Sequence, residues 1–342
     1  MSLHLPQPAQ PMQLPSLSDL LGAAQPGLLT ACRRRTGLLT RIERVHGGNV
    51  SHVFRIRGEH TSVILKIRTD RFARMPLSTD PSLIDDERRT LEVYGGIEPS
   101  AFPQVLGFHA EAHAMILADV FPDGRSYHEH LAERPATADE MSRLGGTLRR
   151  VHHATRDTDT TFRSHSDQWF REHSFIFCLR APGHDLLTQA SEELAALPRQ
   201  QLVLGDLAPK NLSLAAGTVA FCDLDNAHRG WPLFDVAYFL AHLLIHHLGQ
   251  DGHIRTLVLA LLTAYFDAEP PERLSPSHEL LMAKIVAGVA LYRLDQTVPY
   301  PLPGPATLTD RFRDRVLHLL GTGTFTVQDL VRAAGDPTQA AI

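Results

Sequence analysis

Three oxygen-bearing side chains, Asp206, Asn211 and Asp223, lie at short intervals in residues 202–230, LVLGDLAPKNLSLAAGTVAFCDLDNAHRG. Because LSL and TVAFC are typical of strands and AAG is typical of a turn, the segment predicts a β-hairpin with Asn211 and Asp223 near its open end. Antiparallel pairing brings such residues within about 5 Å of one another, backbone to backbone. An amide oxygen and a carboxylate so placed suit Mg²⁺, which completes its octahedron with phosphate and water. Alternatively, all three residues simply form turns.

A lysine and a glutamate that could hold phosphates precede this segment. Lys66 ends the predicted strand VILKI, and Glu87 lies on the predicted helix SLIDDERRTLEVYGG that follows. In kinase-like folds a lysine on the third strand, paired to a helical glutamate, holds the α- and β-phosphates of the nucleotide. Glu92 on the same helix is the alternative partner, and a surface ion pair is the alternative role for Lys66 and Glu87.

Two backbone segments could also contact a nucleotide. In GGNVSHVF, Gly47 and Gly48 would let a hairpin approach phosphate closely, and Ser51 could reach a phosphate oxygen. A plain β-turn is the other interpretation, because the motif is not G-x-G-x-x-G. If the chain resembles kinase-like folds here as well, the end of MILADV, from Ala118 to Val120, would be the hinge whose backbone meets adenine; an ordinary core strand is the alternative.

The order of predicted elements indicates an α+β fold. Residues 38–67 alternate apolar and polar positions and predict a three-stranded antiparallel meander, and QVLGFHAEAHAMILADV adds two strands after one helix. After FPDG the patterns become helical. We therefore predict a loose leader over residues 1–36, a lobe with a small antiparallel sheet and one helix over 37–120, and a larger, mostly α-helical lobe over 121–342.

Composition excludes several classes of protein. The 342 residues include 33 Lys+Arg and 38 Asp+Glu, a net charge of −5 that argues against a nucleic-acid partner. Cys32, Cys178 and Cys222 form no C-x-x-C motif, which fits a reducing compartment. The N-terminus lacks the pattern of a signal peptide, and the apolar runs are too short to span a membrane. We predict a cytoplasmic protein without a membrane partner.

Several motifs together resemble the aminoglycoside phosphotransferase and choline-kinase-like family of small-molecule kinases. LGDLAPKNLSL is similar to the family's His-Gly-Asp-x-x-x-x-Asn loop, FCDLDNAHRGWPLFDVAYFL to its metal-binding Asp and the helix start that follows, and LGGTLRRVHH to its leucine-rich helix ending in His. The resemblance runs from about residue 40 to about residue 250. It implies a bilobal protein-kinase-like fold, an N-terminal nucleotide-binding lobe, a C-terminal catalytic and acceptor-binding lobe, ATP, Mg²⁺ and a hydroxyl acceptor.

The resemblance also implies roles for single residues. Asp206 would orient and deprotonate the acceptor hydroxyl, while Asn211 and Asp223 would hold Mg²⁺ on the phosphates. Leu204 replaces the histidine that usually precedes Gly-Asp and supports the loop. Asp235 would fix this loop by accepting its hydrogen bonds, with a helix N-cap as the alternative.

Other polar and aromatic residues are candidates for the acceptor. Asp225 is a candidate second metal contact or acceptor-site carboxylate, and Trp169, Trp231, Tyr292 and Asp295 lie on segments that line the acceptor cleft in such folds. Their alternatives are core aromatics and surface charge.

A histidine pair at helical spacing, His242 and His246, invites a metal interpretation. No Glu follows the first histidine as in H-E-x-x-H, and the helix is otherwise apolar, so packing histidines are the better prediction.

These observations predict an ATP-dependent kinase that phosphorylates a hydroxyl of a small molecule. One alternative is an ATP-binding pseudokinase or scaffold, motivated by Leu204 and by the unusual glycine pair. A protein kinase is disfavoured, because the chain has no D-F-G and no A-P-E and leaves little room for an activation loop between Asp223 and Asp235. The acceptor, the preference for ATP or GTP, and the oligomeric state do not follow from the sequence.

Overall fold

A computed structural model describes most of the chain, namely residues 15–45, 50–71, 73, 78–121, 124–156, 176–198, 201–267, 274–295, 302 and 304–335. The chain divides into two compact units. We call them the sheet unit (residues 1–92 and 104–119) and the helical unit (residues 93–103 and 120–342). The chain passes for the last time from the first unit to the second at residues 119–120, whereas residues 93–103, expected in the first lobe, belong to the helical unit.

The sheet unit contains a five-stranded antiparallel sheet in the order β1-β2-β3-β5-β4. Its elements are α1 (Leu17–Leu21), α2 (Gln25–Thr36), β1 (Leu39–Arg44), β2 (His52–Gly58), β3 (Ser62–Ile67), the first part of α3 (Leu83–Ile97), β4 (Val105–His109) and β5 (Ala114–Ala118). The predicted meander and the two later strands are therefore confirmed. Along β2 and β3, alternate apolar side chains such as Phe54, Ile56, Val63 and Leu65 are buried, as a sheet with one covered face requires.

Residues 17–36 do not form the loose leader predicted for residues 1–36. They form α1 and α2, whose apolar residues Leu17, Leu21, Leu28 and Cys32 are buried in one cluster with the sheet. Ser16 caps α1, and its side chain accepts a hydrogen bond from the backbone N–H of Asp19. The prolines that suggested a leader are compatible with this helix pair, because Pro26 lies in the first turn of α2, where no backbone donor is lost.

The helical unit is built from helices that pack around a central, fully buried one. Its elements include α4 (Tyr127–Leu131), α5 (Ala138–Ala154), a short π-helical turn (Ile176–Arg180), α6 (Asp185–Ala196), α7 (Leu233–His246), α8 (Asp251–Phe266), α9 (Pro276–Leu294), α10 (Ala306–Thr322) and α11 (Val327–Gly335). α7 is buried on all sides, which explains why FLAHLLIHHL is so apolar. At Gly145 a Cβ would lie 2.4 Å from the Leu261 carbonyl oxygen, so the glycine lets α5 and α8 pack closely.

Two short antiparallel ribbons carry the segment that contains Asp206, Asn211 and Asp223. In one, β7 (Leu212–Ser213) pairs with β8 (Ala220–Phe221), which confirms the predicted hairpin. In the other, β6 (Gln201–Val203) pairs with β9 (His228–Gly230). The three polar residues lie in the connections, between β6 and β7 and between β8 and β9.

No helix within the described ranges combines the length and the apolar character needed to cross a bilayer.

Candidate active site

The connection between β6 and β7, residues 204–211, is called the Asp206 loop below, and its backbone has a shape that demands glycine. Gly205 has φ = 79°, in the left-handed region. A Cβ at this position would lie 2.1 Å from the carbonyl oxygen of Asn226. The tight turn places Asp206 directly after the end of β6, with little freedom to move.

Asp235, in the first turn of α7, braces this loop. Its fully buried carboxylate accepts hydrogen bonds from the backbone N–H groups of Leu204 (2.7 Å) and Gly205 (2.8 Å), as the sequence predicted. His152 of α5 donates from Nε2 to the same carboxylate at 3.0 Å, and its Nδ1 lies 2.9 Å from the Tyr265 hydroxyl. Leu204 therefore supports the loop through its backbone, while its side chain is buried in the core.

The Asp206 side chain is surrounded by groups of opposite charge or polarity. The amide nitrogen of Asn211 donates to the backbone oxygen of Asp206 at 3.0 Å and to its Oδ2 at 3.1 Å. Lys210 Nζ lies 3.4 Å from Oδ2, and Arg293 Nη2 lies 3.6 Å from Oδ1. Burial alone would raise the pKa of the Asp206 carboxyl, but Lys210 and Arg293, helped by polar neighbours, outweigh it and hold the pKa below its usual range.

Arg293 reaches Asp206 from the last turn of α9. Its guanidinium lies 4.6 Å from the centre of the Tyr292 ring and donates to the Tyr238 hydroxyl at 2.9 Å. Tyr238 lies on α7, so two helices of the helical unit hold this cation. The sequence had indicated Tyr292 and Asp295 on this stretch but not Arg293 between them.

Asp223 follows β8 in an unusual backbone conformation. Its φ of 61° lies in the left-handed region, which is uncommon for a residue other than glycine and is concentrated at functional sites. The preceding residue, Cys222, donates its N–H to the carbonyl oxygen of Asn211 at 2.9 Å, so the metal candidates Asn211 and Asp223 lie at the same end of the hairpin.

The donor set of this corner fits a hard cation. Carboxylate oxygens of Asp223 and Asp225 lie within 4.8 Å of each other, and Asn211 would add a neutral amide oxygen. Carboxylate and amide oxygens without sulfur or imidazole are the ligands that Mg²⁺ takes in proteins. Asp225 is buried, and its role as a second metal contact or as an acceptor-site carboxylate stays a prediction.

In the sheet unit, Lys66 and Glu87 form an almost fully buried ion pair. Lys66 Nζ lies 2.7 Å from Glu87 Oε1, and the two side chains are 3% and 2% exposed. Glu92, the alternative partner, instead pairs with Arg88 at 2.6 Å on the surface of α3. A surface role for the lysine is thus excluded by its burial, while its contact with phosphate stays a prediction.

The structure describes only some of the residues that were predicted to contact the nucleotide through or near the backbone. Gly47 and Gly48 lie outside the described residues, whereas Ser51 is buried immediately before β2. Ala118 ends β5 and pairs with Val63 of β3, and Val120 belongs to the helical unit. The adjoining Asp119 accepts hydrogen bonds of 2.7 Å from both Arg55 and Ser62, so the end of β5 is tied to β2 and β3.

The predicted acceptor residues do not form one group. Trp231 lies just before α7 with its ring 5.6 Å from that of His278 on α9. Asp295 pairs with Arg313 of α10, which gives it an ordinary structural partner. Tyr292 is buried against Arg293, and Trp169 lies outside the described residues. The acceptor roles of Trp231, Asp225 and Asp295 remain predictions.

The histidines of α7 have packing roles, as predicted. His242 is buried 5.5 Å from the Tyr238 ring, and the His246 ring lies 5.2 Å from that of His128. Burial, together with neighbouring positive charge, lowers the pKa of His246 to about 3. Neither histidine belongs to a cluster of metal-ligating side chains within the part of the chain that the structure describes.

Three functional candidates were not predicted from the sequence: Lys210, Arg293 and His152. Lys210 could have been found, because it lies four residues after Asp206 and next to Asn211. His152 lies near the end of the helix LGGTLRRVHH that the family resemblance included. Arg293 gave no signal, since a single arginine in an apolar helix is not a motif and its contact spans 87 residues of sequence.

Comparisons with known proteins agree on the family and the fold. The sequence profile of the phosphotransferase enzyme family (APH) matches residues 41–275. A search of curated protein sequences found no significant match. The following solved structures are 12–15% identical, so they support the fold alone.

The first is amicoumacin kinase hAmiN in complex with AMP-PNP, Ca²⁺ and Ami, with 14% identity and a TM-score of 0.55 over 88% of this chain and 94% of that one. A choline/ethanolamine kinase family protein from Mesorhizobium loti has 15% identity and a TM-score of 0.53 over 91% and 99% of the two chains. Choline kinase LicA from Streptococcus pneumoniae has 12% identity and a TM-score of 0.51 over 88% and 100%. The fold is thus the protein-kinase-like α+β fold that the sequence predicted. Because the family profile covers well over half of its length, the chain belongs to the phosphotransferase enzyme family.

Proposed function

We propose that this protein is a kinase that transfers the γ-phosphoryl group of ATP to a hydroxyl of a small molecule. The observation that carries the proposal is the Asp206 carboxylate, ionised and fixed by Asn211, Lys210 and Arg293 on a loop that Asp235 braces. Such a carboxylate can accept a hydrogen bond from an alcohol and receive its proton.

In the proposed reaction, the acceptor oxygen forms a bond to the γ-phosphorus while the bond from that phosphorus to the β-phosphate oxygen breaks. ADP leaves, and the proton of the hydroxyl passes to Asp206 late in the transfer. Positioning and charge neutralisation, rather than covalent catalysis, are therefore the tasks of the protein.

Asn211, Asp223 and Asp225 are the residues that would hold Mg²⁺. When bound, the cation neutralises the negative charge of the β- and γ-phosphates. Lys66 would contact the α- and β-phosphates, and Glu87 would hold its ammonium in place through the 2.7 Å ion pair. Gly47, Gly48, Ser51 and the backbone from Ala118 to Val120 would complete the nucleotide contacts, which stay predictions.

Two observations weigh against the alternatives. The pseudokinase alternative was motivated mainly by Leu204, which replaces the histidine that usually supports the loop. In the structure, Asp235 accepts hydrogen bonds from the backbone of Leu204 and Gly205 and supports the loop directly. For a protein kinase, the chain between Asp223 and α7 contains β9 within a span of nine residues, which leaves no room for an activation loop.

Related structures suggest where to search for the acceptor. By their names, the similar proteins act on amicoumacin, choline and ethanolamine. A panel of hydroxyl-bearing antibiotics, amino alcohols and sugars therefore covers the chemistry of these proteins without assuming any one acceptor.

The test is Mg²⁺-dependent conversion of ATP to ADP with each member of the panel. The wild type is compared with Asp206→Asn and with Asp139→Asn, which changes a surface acid that pairs with Arg143 on α5. We expect one acceptor to stimulate turnover in the wild type and in Asp139→Asn, and Asp206→Asn to abolish it. ATP binding without turnover for any acceptor would favour the pseudokinase, and no nucleotide binding would refute both.

A further inference from the structure

We propose that Arg293 is a positioning residue for phosphoryl transfer: anchored by Tyr238 and Tyr292, its guanidinium holds the Asp206 carboxylate in one orientation. The inference rests on the proposed function, because it assumes that Asp206 receives the acceptor hydroxyl. It goes beyond that function by assigning a part of the machinery to the end of α9, far from the Asp206 loop in sequence.

The two oxygens of Asp206 have different surroundings. Oδ2 accepts from Asn211 at 3.1 Å and faces Lys210 at 3.4 Å. Oδ1 is buried, and the Tyr238 hydroxyl is a hydrogen-bonding neighbour of this carboxylate. A cation, Arg293 Nη2, lies 3.6 Å from it. A buried carboxylate is costly unless opposite charge compensates it, and Arg293 supplies part of that charge from the buried side.

Arg293 is itself held rigidly. The hydroxyl of Tyr238 accepts from its Nη2 at 2.9 Å, the Tyr292 ring centre lies 4.6 Å from the guanidinium carbon, and the side chain is 5% exposed. A planar guanidinium fixed by a hydroxyl and an aromatic face has few alternative positions. Arg293 can therefore act as a stop that prevents the carboxylate from rotating.

Lys210 is less suited to the same role. Its side chain is 24% exposed, and its ammonium lies on a flexible stem four residues from Asp206. Water can screen this partly exposed ammonium, and ordering its flexible stem costs entropy, so Lys210 fixes the orientation of the carboxylate less than Arg293 does. With Oδ1 held on the buried side, Oδ2 remains the oxygen on which a hydroxyl can be received.

The expected consequence of losing Arg293 is a slower reaction with little change in nucleotide binding. Misplacing a catalytic group by about 1 Å can lower the rate about 100-fold. We expect Arg293→Met to lower kcat by about this factor while the KM for ATP stays within about threefold of wild type. Arg293→Lys, which restores the charge without the planar fork, should recover part of kcat. Tyr238→Phe, which removes a hydrogen-bond partner of both Arg293 and Asp206, should give a kcat between those of Arg293→Met and Arg293→Lys.

A matched control lies on the same helix. Lys284 is also 5% exposed and pairs with Glu193 at 2.8 Å, nine residues before Arg293 on α9. Lys284→Met removes a buried cation of similar cost to stability, so its melting temperature should fall while its kcat remains near the wild-type value. A fall in kcat for Lys284→Met equal to that for Arg293→Met would show that Arg293 acts only through stability and would overturn the proposal.

A second measurement does not depend on turnover. Crystal structures of the wild type, Arg293→Lys and Tyr238→Phe should show the Asp206 carboxylate in one orientation in the wild type and rotated or in two conformers in the variants. An unchanged Asp206 in both variants, or unchanged kcat in Arg293→Met, would refute the proposal. If the wild type turns over no acceptor, the proposed function fails, and the orientation of Asp206 still decides whether Arg293 positions it.

Discussion

The sheet unit and the helical unit each contain a buried ionic site, and the two sites differ in the number of charged partners and in their exposure to water. In the sheet unit, one lysine meets one glutamate, and both side chains are almost inaccessible to water. In the helical unit, a single carboxylate, Asp206, meets two cations that differ in exposure, Lys210 at 24% and Arg293 at 5%.

This difference shows how the same kind of interaction serves two purposes. A closed one-to-one pair such as Lys66 and Glu87 fixes a cation in place at a high desolvation cost. The Asp206 side chain is 13% exposed, so part of its carboxylate remains accessible to a further partner. The pair in the sheet unit thus fixes the Lys66 ammonium, whereas the arrangement in the helical unit keeps the Asp206 carboxylate ionised and available to a substrate.

Among substitutions that test this difference between the two units, Asp206→Ala should have the largest effect on activity. Asp206→Ala removes the proposed proton acceptor, and we expect the turnover rate with the best acceptor to fall by about 10³-fold or more. The variant should still bind ATP, because the groups proposed for the phosphates are untouched. Steady-state kinetics and nucleotide titration measure the two quantities; retention of about a tenth of the wild-type rate would contradict the proposed role.

In the sheet unit the larger effect should be on stability. Removing one partner of a buried pair leaves the other charge uncompensated, so Lys66→Met and Glu87→Gln should each lower the free energy of unfolding by about 3–5 kcal/mol. The double variant Lys66→Met/Glu87→Met should regain much of this loss. Denaturant unfolding tests the prediction, with the exposed pair at Arg88 and Glu92 as control: Glu92→Gln should change stability by less than about 1 kcal/mol.

Acid should separate the two units further. Burial lowers the pKa values of His242, His246 and His247 in the helical unit, to about 3 for His246. These groups are neutral when folded, so the unfolded state binds more protons once the pH falls below about 6.5, and stability decreases from there toward about pH 3. In the sheet unit, burial and Arg44 lower the pKa of His52 to about 4 in the same sense.

Because the helical unit contains more histidines with a lowered pKa than the sheet unit, it should lose more stability between about pH 6.5 and 4. Hydrogen exchange followed by mass spectrometry resolves the units by peptide. His246→Gln should reduce the pH dependence of the stability of the helical unit. Equal acid sensitivity in both units would show that these histidines do not control it.

The smallest effect is expected at Lys210. Because its pair with Asp206 is partly exposed and lies at i, i+4, Lys210→Met should change stability by less than about 1 kcal/mol and kcat by no more than about threefold. Comparison with Arg293→Met in the same assay measures the asymmetry of the two cations. A larger loss of kcat for Lys210→Met would mean that this lysine contacts the transferred phosphoryl group.

Much of the fold could be predicted from the sequence because its signals are local. The meander, the hairpin after Asn211 and the long helices each follow from periodicity and turn residues within one segment. Residues 17–36 were the exception. The prolines and glutamines of residues 1–27 favoured a leader, whereas the burial of Leu17, Leu21, Leu28 and Cys32 depends on a sheet that begins later in the chain.

The parts of the candidate site whose residues lie close together in the sequence could be predicted, whereas contacts between residues far apart in the sequence could not. Asp206, Asn211 and Asp223 share one segment of sequence, and Lys66 with Glu87 follows a strand-to-helix order. The choice between Glu87 and Glu92 required knowing which face of α3 is turned toward the sheet. Glu87 pairs with Lys66, whereas Glu92 pairs with Arg88. Arg293 could not be found, because only tertiary packing brings α9 to the Asp206 loop.

The Gly205 turn also limits how this protein can be engineered. Replacing glycine by alanine commonly stabilises a protein by about 0.4–1 kcal/mol where the backbone permits it. Gly96 in α3 and Gly321 in α10 have helical backbones and open space where a methyl group would go, so they are suitable positions for such a change. At Gly205 the methyl would collide with Asn226, and a saturation library at this position should return glycine alone.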